Sequence, residues 1–417
     1  MLKKIHTYKI GEINRCQVCG NKKLFKFLDL GYQPLADDLL SIQSQRKELI
    51  YYPLAISLCE KCSLLQNNYI VGDKKLYPKN YHYVPVITKD VVKSFESMSG
   101  FIIKKYNLGV KDLIVDIGCN DGSLLNEFKK KKFTNLLGIE PTDTVKLAKK
   151  KKIRIIQDFF NTDSALLAKK KYGNAKIITT TNVFAHTNNL YTFITAAKKL
   201  ILKDGVFIIE NHYLLDVMKK YQFDTFYHEH LRTYSLKSLI KLLGYYGFSI
   251  LDAYTSDRYG GNIQAHFTLK KVRMSNNVKK ILQLEKKSNL NNRNIYINFK
   301  NKIESNRDKL QKFLIKNKKK IIVAKAFPAR ASILMHYFSF LKDYVQYIAE
   351  QKTSLKLNNF APGTNIKIIS SEIMKKKKPD IVIVLAWHLF DAIYNKWKKV
   401  LGKKVTFVKP LPSLKIK

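Results

Sequence analysis

Over the first seventy-odd residues, apolar positions come in short runs broken by Gly, Asn and Asp, as in Phe27-Leu-Asp-Leu-Gly-Tyr-Gln-Pro-Leu-Ala. That spacing predicts short strands and turns. A helix is predicted over 88–106, and from there the pattern becomes strand and helix in alternation. The short apolar runs are Leu113-Ile-Val-Asp-Ile117, Asn135–Glu140, Ile153–Asp158, Lys176–Thr180 and Gly205–Tyr213. Alternation of this kind predicts a parallel sheet wrapped by helices. Two further strands, Ser249–Tyr254 and Asn262–Lys270, joined through Arg258-Tyr-Gly-Gly261, complete it. A charged, Asn-rich stretch, about 275–316, reads as helical, and beyond it Ile321–Lys325 and Pro379–Leu385 begin a second α/β pattern. The expected architecture is α/β in three parts: a small module over 1–75, a Rossmann-like core over 76–272, and a linker helix with a C-terminal Rossmann-like domain over 273–417.

Length and composition fit this division. A chain of 417 residues with 46% hydrophobic positions has room for two or three cored domains. The formal charge of +44 raises the question of nucleic acid. Its lysine runs (Lys129–Lys132, Lys149–Lys152, Lys169–Lys171, Lys318–Lys320, Lys375–Lys378) sit at the ends of predicted helices or just before predicted strands, with little arginine or aromatic interleaving. Such runs describe solvated faces, so no nucleic-acid partner is expected, although the surplus favours an anionic substrate. The N-terminus has no apolar leader and no run approaches a bilayer's thickness, so the expectation is a cytoplasmic protein with no membrane partner.

Four of the five cysteines form two pairs, Cys16-Gln-Val-Cys19 and Cys59-Glu-Lys-Cys62. In a reducing compartment, paired CxxC turns present four thiolates to one tetrahedral zinc. The 39 residues between the pairs require a folded insertion. Four protein ligands leave no open position, so the zinc is expected to be structural.

The turn after the first core strand carries the cofactor chemistry. Asp116 ends that strand, Gly118-Cys-Asn120-Asp-Gly122 makes the turn, and Ser123-Leu-Leu opens a helix. Dinucleotide sites use GxGxxG instead. The stretch resembles the first motif of class I S-adenosylmethionine (SAM) methyltransferases, with Asn120 in place of the middle glycine. Glu140, ending the second strand, suits the ribose hydroxyls. Asp158 and Phe159, after the third, stand where adenine would be held.

Polar residues at the ends of later strands mark the substrate side, since α/β ligands bind there. These are Asn182 and His186 in Asn182-Val-Phe-Ala-His186, and a tyrosine-rich segment from Tyr77 through Tyr81 and Tyr83 offers a pocket roof. Most specific is Tyr227-His228-Glu229-His230, whose histidine spacing disfavours a zincin-type metal site and instead supplies a base with groups to orient it. Together the paired CxxC motifs, the SAM turn, the Asn-x-x-Ala-His segment and the Tyr-His-Glu-His loop resemble the SAM-dependent sugar C-methyltransferases that act on nucleotide-linked keto-deoxysugars, over nearly the whole chain. The glycine-rich turn common in that family's C-terminal domain is here Ala326-Phe-Pro-Ala-Arg330, a departure. The resemblance implies a monomer, a nucleotide-diphosphate keto-sugar as substrate, and a base-generated enolate that takes the methyl. It implies His230 as base, Tyr227 and Glu229 as its partners, and Asn182, His186 and Tyr81 or Tyr83 as pocket residues. Arg258 and Arg330 are candidates for gripping the diphosphate. A small-molecule O- or N-methyltransferase would share the SAM motifs without needing the base, and a zinc-bearing RNA-binding protein is the alternative of another class.

Overall fold

The computed structural model describes residues 2–42, 48–79 and 89–417. Tyr81 and Tyr83 lie outside the described residues.

The central sheet has seven strands in the order Ser249–Ser256, Asn262–Thr268, Ile201–His212, Ala175–Thr181, Ile114–Ile117, Leu136–Ile139, Arg154–Ile156. The last five of these are parallel, and Asn262–Thr268 runs antiparallel to both of its neighbours. In order of appearance this is 3-2-1-4-5-7-6, the class I methyltransferase arrangement. Ile114–Ile117 lies at its centre, buried throughout because helices cover both faces. The order reverses between it and Ala175–Thr181, which opens a crevice at their carboxyl ends. The helix expected over 88–106 spans Lys89–Tyr106.

The cysteine module is a three-stranded antiparallel sheet of Phe25–Pro34, Tyr51–Cys59 and Leu64–Asn67. Its fourth strand comes from far along the chain: Arg232–Thr233, just past the Tyr-His-Glu-His loop, pairs with Leu65 and Gln66. The C-terminal sheet carries five parallel strands ordered Thr406–Lys409, Ile381–Val384, Ile322–Lys325, Tyr347–Glu350, Lys367–Ser370, with short antiparallel edges. Its outermost edge is Leu40–Ser41, paired with Asn359–Phe360. The expected boundaries near 75 and 272 therefore do not insulate three separate bodies, since the first part lends a strand to the last and borrows one from the middle.

The stretch expected to be helical, about 275–316, forms two helices, Asn276–Lys287 and Arg293–Lys316. Asn289 takes a left-handed backbone (φ +49°) at the break, and the Asn292 side chain caps the second helix. That helix buries Tyr296, Phe299, Ile303, Leu310 and Leu314, one face at three-and-four spacing. Phe27 of the cysteine module and Phe226, just before the Tyr-His-Glu-His loop, pack on it, with ring centroids 5.0 Å from Tyr296 and 6.3 Å from Phe299 respectively. Truncating a buried Phe to Ala costs about 3–5 kcal/mol, so this helix is a main fastener of the seam. No helix among the described residues is long and apolar enough to cross a membrane.

Candidate active site

One cavity of about 480 Å³ runs from the glycine turn of the central sheet, past the Tyr-His-Glu-His loop, to the loops of the C-terminal sheet at 326–330, 350–356 and 386–389.

At its first end, Gly118 and Gly122 take φ of +69° and +72°, and Asn120 takes +51°, a conformation Asn tolerates better than most side chains. A Cβ on Gly118 would stand 2.4 Å from Val183 Cγ2, so glycine is required there by space as well as by backbone. Glu140 is buried, accepting hydrogen bonds from Asn120 N (3.1 Å), Thr142 N (2.9 Å) and Thr142 Oγ1 (2.6 Å), which aim its carboxylate along the cavity wall. Asp116 accepts from Thr179 Oγ1 at 2.7 Å, and burial pushes its carboxyl up to about 7. Phe159 and Phe160 line the wall beyond. Asp158 is exposed and turned onto Phe159 N, so it does not face the cavity. A nucleoside fits this end: a carboxylate at the strand end for the ribose, aromatics for the base, and a glycine turn admitting the backbone.

In the middle stand three imidazoles. The His230 ring lies 5.0 Å from that of His186 and 4.8 Å from that of His212, with Tyr227 3.9 Å away. The backbone carbonyl of Thr225 accepts from His230 Nδ1 at 2.7 Å, which fixes the tautomer and leaves Nε2 as the basic nitrogen. Burial holds His230 down at about 4 and His186 and His212 well below the usual histidine value, so all three are neutral at pH 7. His186 Nδ1 shares a 2.9 Å hydrogen bond with the Tyr77 hydroxyl, and its Nε2 is buried with no partner among the described residues. Of the 77–83 segment, Tyr77 is thus the described tyrosine, and it reaches the site. Glu229 is buried on the same wall. Asn182, at φ +53° on its strand end, donates its backbone N–H to Glu210 O at 2.7 Å and turns its side chain toward Asn262.

The two arginines are held internally. Arg258 pairs with Glu210 at 3.0 Å and lies 4.5 Å over the Phe95 ring. Arg330 forks onto Asp224 at 2.8 and 2.6 Å, and Trp387 Nε1 donates to the same carboxylate at 2.8 Å. Both therefore build the wall of the cavity through buried ion pairs. At the far end Lys356 meets Asp37 of the cysteine module at 2.6 Å and lies 5.6 Å over the Phe327 ring. The residues that sequence reasoning passed over are Thr225 and His212, the latter near the end of the predicted strand Gly205–Tyr213, whereas Tyr77 belongs to the segment offered as a pocket roof.

The four sulfurs of Cys16, Cys19, Cys59 and Cys62 lie within 4.8 Å of one another, with Cys16–Cys62 and Cys19–Cys59 each 3.5 Å apart. Tetrahedral zinc at about 2.3 Å from each sulfur asks for edges of about 3.8 Å, so the cluster fits that ion. Val18 N and Cys19 N both point at Cys16 Sγ from 3.4 Å, as a thiolate in a metal knuckle requires.

Comparison with known proteins agrees with this layout. Three family models match in succession: a zinc binding domain over 16–77, a methyltransferase domain over 103–253 and a C-methyltransferase C-terminal domain over 257–412. The chain is a SAM-dependent methyltransferase, built as the C-methyltransferases are. The C-methyltransferase NovU of Streptomyces niveus is 24% identical over 97% of both chains. A solved SAM-dependent methyltransferase from Clostridium acetobutylicum is 17% identical, covering 45% of this chain and 97% of its own at a TM-score of 0.36. Magnesium protoporphyrin IX methyltransferase from Synechocystis is 16% identical over 46% of this chain and 87% of its own, at 0.33. The residues of the glycine-turn end fit SAM and the cysteine cluster fits zinc, and none of the four cysteines lines the cavity.

Proposed function

We propose that this methyltransferase moves the methyl group of SAM onto a carbon beside the ketone of a nucleotide-linked keto-deoxysugar, through an enolate. The reading is supported first by the pairing of two neutral imidazoles, His230 and His186, 5.0 Å apart on one cavity wall. SAM supplies an electrophilic methyl group, and the chain's own residues have to make the carbon nucleophilic. His230 Nε2 accepts the proton from the carbon, with Nδ1–H held on Thr225 O so that the charge formed on the ring is stabilised by a carbonyl dipole. Burial keeps the Tyr77 phenol protonated, so its hydroxyl donates to His186 Nδ1 and leaves Nε2–H to face the oxygen on which charge develops. An O- or N-methyltransferase needs no enolising base and forms no enolate oxygen for the His186 donor to stabilise. Gly118, Asn120 and Glu140 hold the cofactor, and the loops of the C-terminal sheet take the nucleotide-diphosphate portion. The surplus positive charge of the chain draws in that anion.

The test is mass spectrometry of products after incubation with SAM and a panel of nucleotide-linked 4-keto-6-deoxy sugars in deuterium oxide. One added methyl on the carbon next to the ketone is expected. His230→Asn should lose transfer by at least about a hundredfold, within the range general bases contribute, while binding SAM as the parent does. Methylation of a hydroxyl or amine, with no carbon-bound deuterium, would refute the enolate.

A further inference from the structure

Among the described residues Arg232 is the largest fully buried side chain, 1% exposed, and no carboxylate lies within ion-pair distance of it. A buried charge with no counter-ion is unfavourable unless its hydrogen bonds accomplish something specific. Those bonds are unusual in where they end. Nη2 donates to the carbonyls of Ala185 and Thr187, the residues on either side of His186. Nη1 reaches Gln17 Oε1 at 3.3 Å, inside the Cys16–Cys19 knuckle. The backbone of Arg232 lies two residues beyond His230, paired with Gln66 in the sheet of the cysteine module. Gln66 closes the ring, accepting from Gln17 N at 2.8 Å and donating to Arg15 O at 3.0 Å.

We propose that Arg232 is a positioning residue that couples the zinc knuckle to the two imidazoles of the cavity, setting the His186 segment and the His230 loop at one mutual distance. The guanidinium does not line the cavity. Its planar fork serves two carbonyls and an amide oxygen from two separate nitrogens in a fixed plane, whereas the donors of an ammonium all leave one freely rotating nitrogen. Asn67, next in the same strand, adds a second tie by donating Nδ2 to Tyr227 O at 3.0 Å. The knuckle thereby acts as an anchor for the site even though its metal takes no part in the reaction. This inference rests on the proposed roles of His186 and His230.

The test is hydrogen–deuterium exchange by mass spectrometry on the full zinc-loaded chain, following peptides 182–190 and 226–234, with 381–384 as a distant control. In the first peptide His186 N–H bonds Val183 O at 2.9 Å and Ala185 N–H bonds Asn211 Oδ1 at 3.3 Å, so loosening is visible there. In Arg232→Lys, which keeps charge and length, both peptides should exchange at least tenfold faster while the control, the zinc content and SAM binding stay as in the parent. Gln17→Ala should loosen the same two peptides severalfold. In the transfer assay kcat should fall at least thirtyfold with KM within threefold. Protection of 182–190 unchanged in either variant, or loosening shared equally by the control, would overturn the proposal. Should the parent methylate no keto sugar, the exchange result still decides whether Arg232 links the two segments.

Discussion

Acidification should unfold this protein early, and the cause is its buried histidines. His228, His230 and His266 are almost fully enclosed, and burial lowers them to about 4, about 4 and about 3. A histidine depressed in the folded state stabilises the fold above its unfolded value near 6.5, and that stability drains away as the pH falls toward the folded value. Between pH 7 and pH 5 each of the three should lose about 1.8 kcal/mol, about 5 kcal/mol together. Asp116 and Asp73 act in the opposite sense: burial raises their folded values to about 7 and about 6, so their protonation favours the folded state by about 2 and about 1 kcal/mol over the same interval. The net loss is about 2 kcal/mol, a sizeable part of the 5–15 kcal/mol typical of a domain. His6, His186, His212, His336 and His388 are depressed as well and add to it. Urea unfolding followed by circular dichroism at pH 7, 6 and 5 measures the difference. Replacing the buried His228 by Asn should take about 1.8 kcal/mol out of the pH dependence. Stability at pH 5 equal to or above that at pH 7 would refute the reasoning.

Two other substitutions follow from backbone geometry. Ala326 takes φ +65°, a left-handed conformation that costs a residue with a Cβ about 1–2 kcal/mol, so Ala326→Gly should raise stability by about 1 kcal/mol and lift the melting temperature by a few degrees; an unchanged or lower value in calorimetry would count against it. Gly118→Ala brings a Cβ to 2.4 Å from Val183 Cγ2 at φ +69°, so the turn must move. SAM affinity measured by titration calorimetry should drop at least about tenfold, a cost of about 1.4 kcal/mol or more, and affinity within twofold of the parent would show that the turn absorbs the methyl group.

Ala326 also shows why the sequence was informative here. Where the resembling family commonly carries a glycine-rich turn, this chain has Ala-Phe-Pro, yet the left-handed backbone persists at Ala326, so the turn survives the loss of the residue that usually marks it. The features readable in advance are local ones: a strand ending in Asp116 followed by a tight turn, a carboxylate ending the next strand, four thiols in two short pairs. Each depends on residues a few positions apart, whose geometry the backbone dictates. The features that escaped depend on what meets what across the chain. A guanidinium in sequence looks the same whether it faces a diphosphate or a carboxylate, and only the fold shows Arg258 on Glu210 and Arg330 on Asp224. Among the tyrosines of the 77–83 segment, the hydroxyl seen on His186 is that of Tyr77, a matter of where the chain passes and not of residue type. The pairing of Arg232–Thr233 with a strand more than a hundred and sixty residues earlier leaves no periodic trace, since two residues carry no pattern. That pairing nonetheless fixes the site: it carries the loop holding His230 onto the cysteine module and brings Arg232 against the His186 segment, so the position of the two imidazoles depends on contacts that only the folded chain contains.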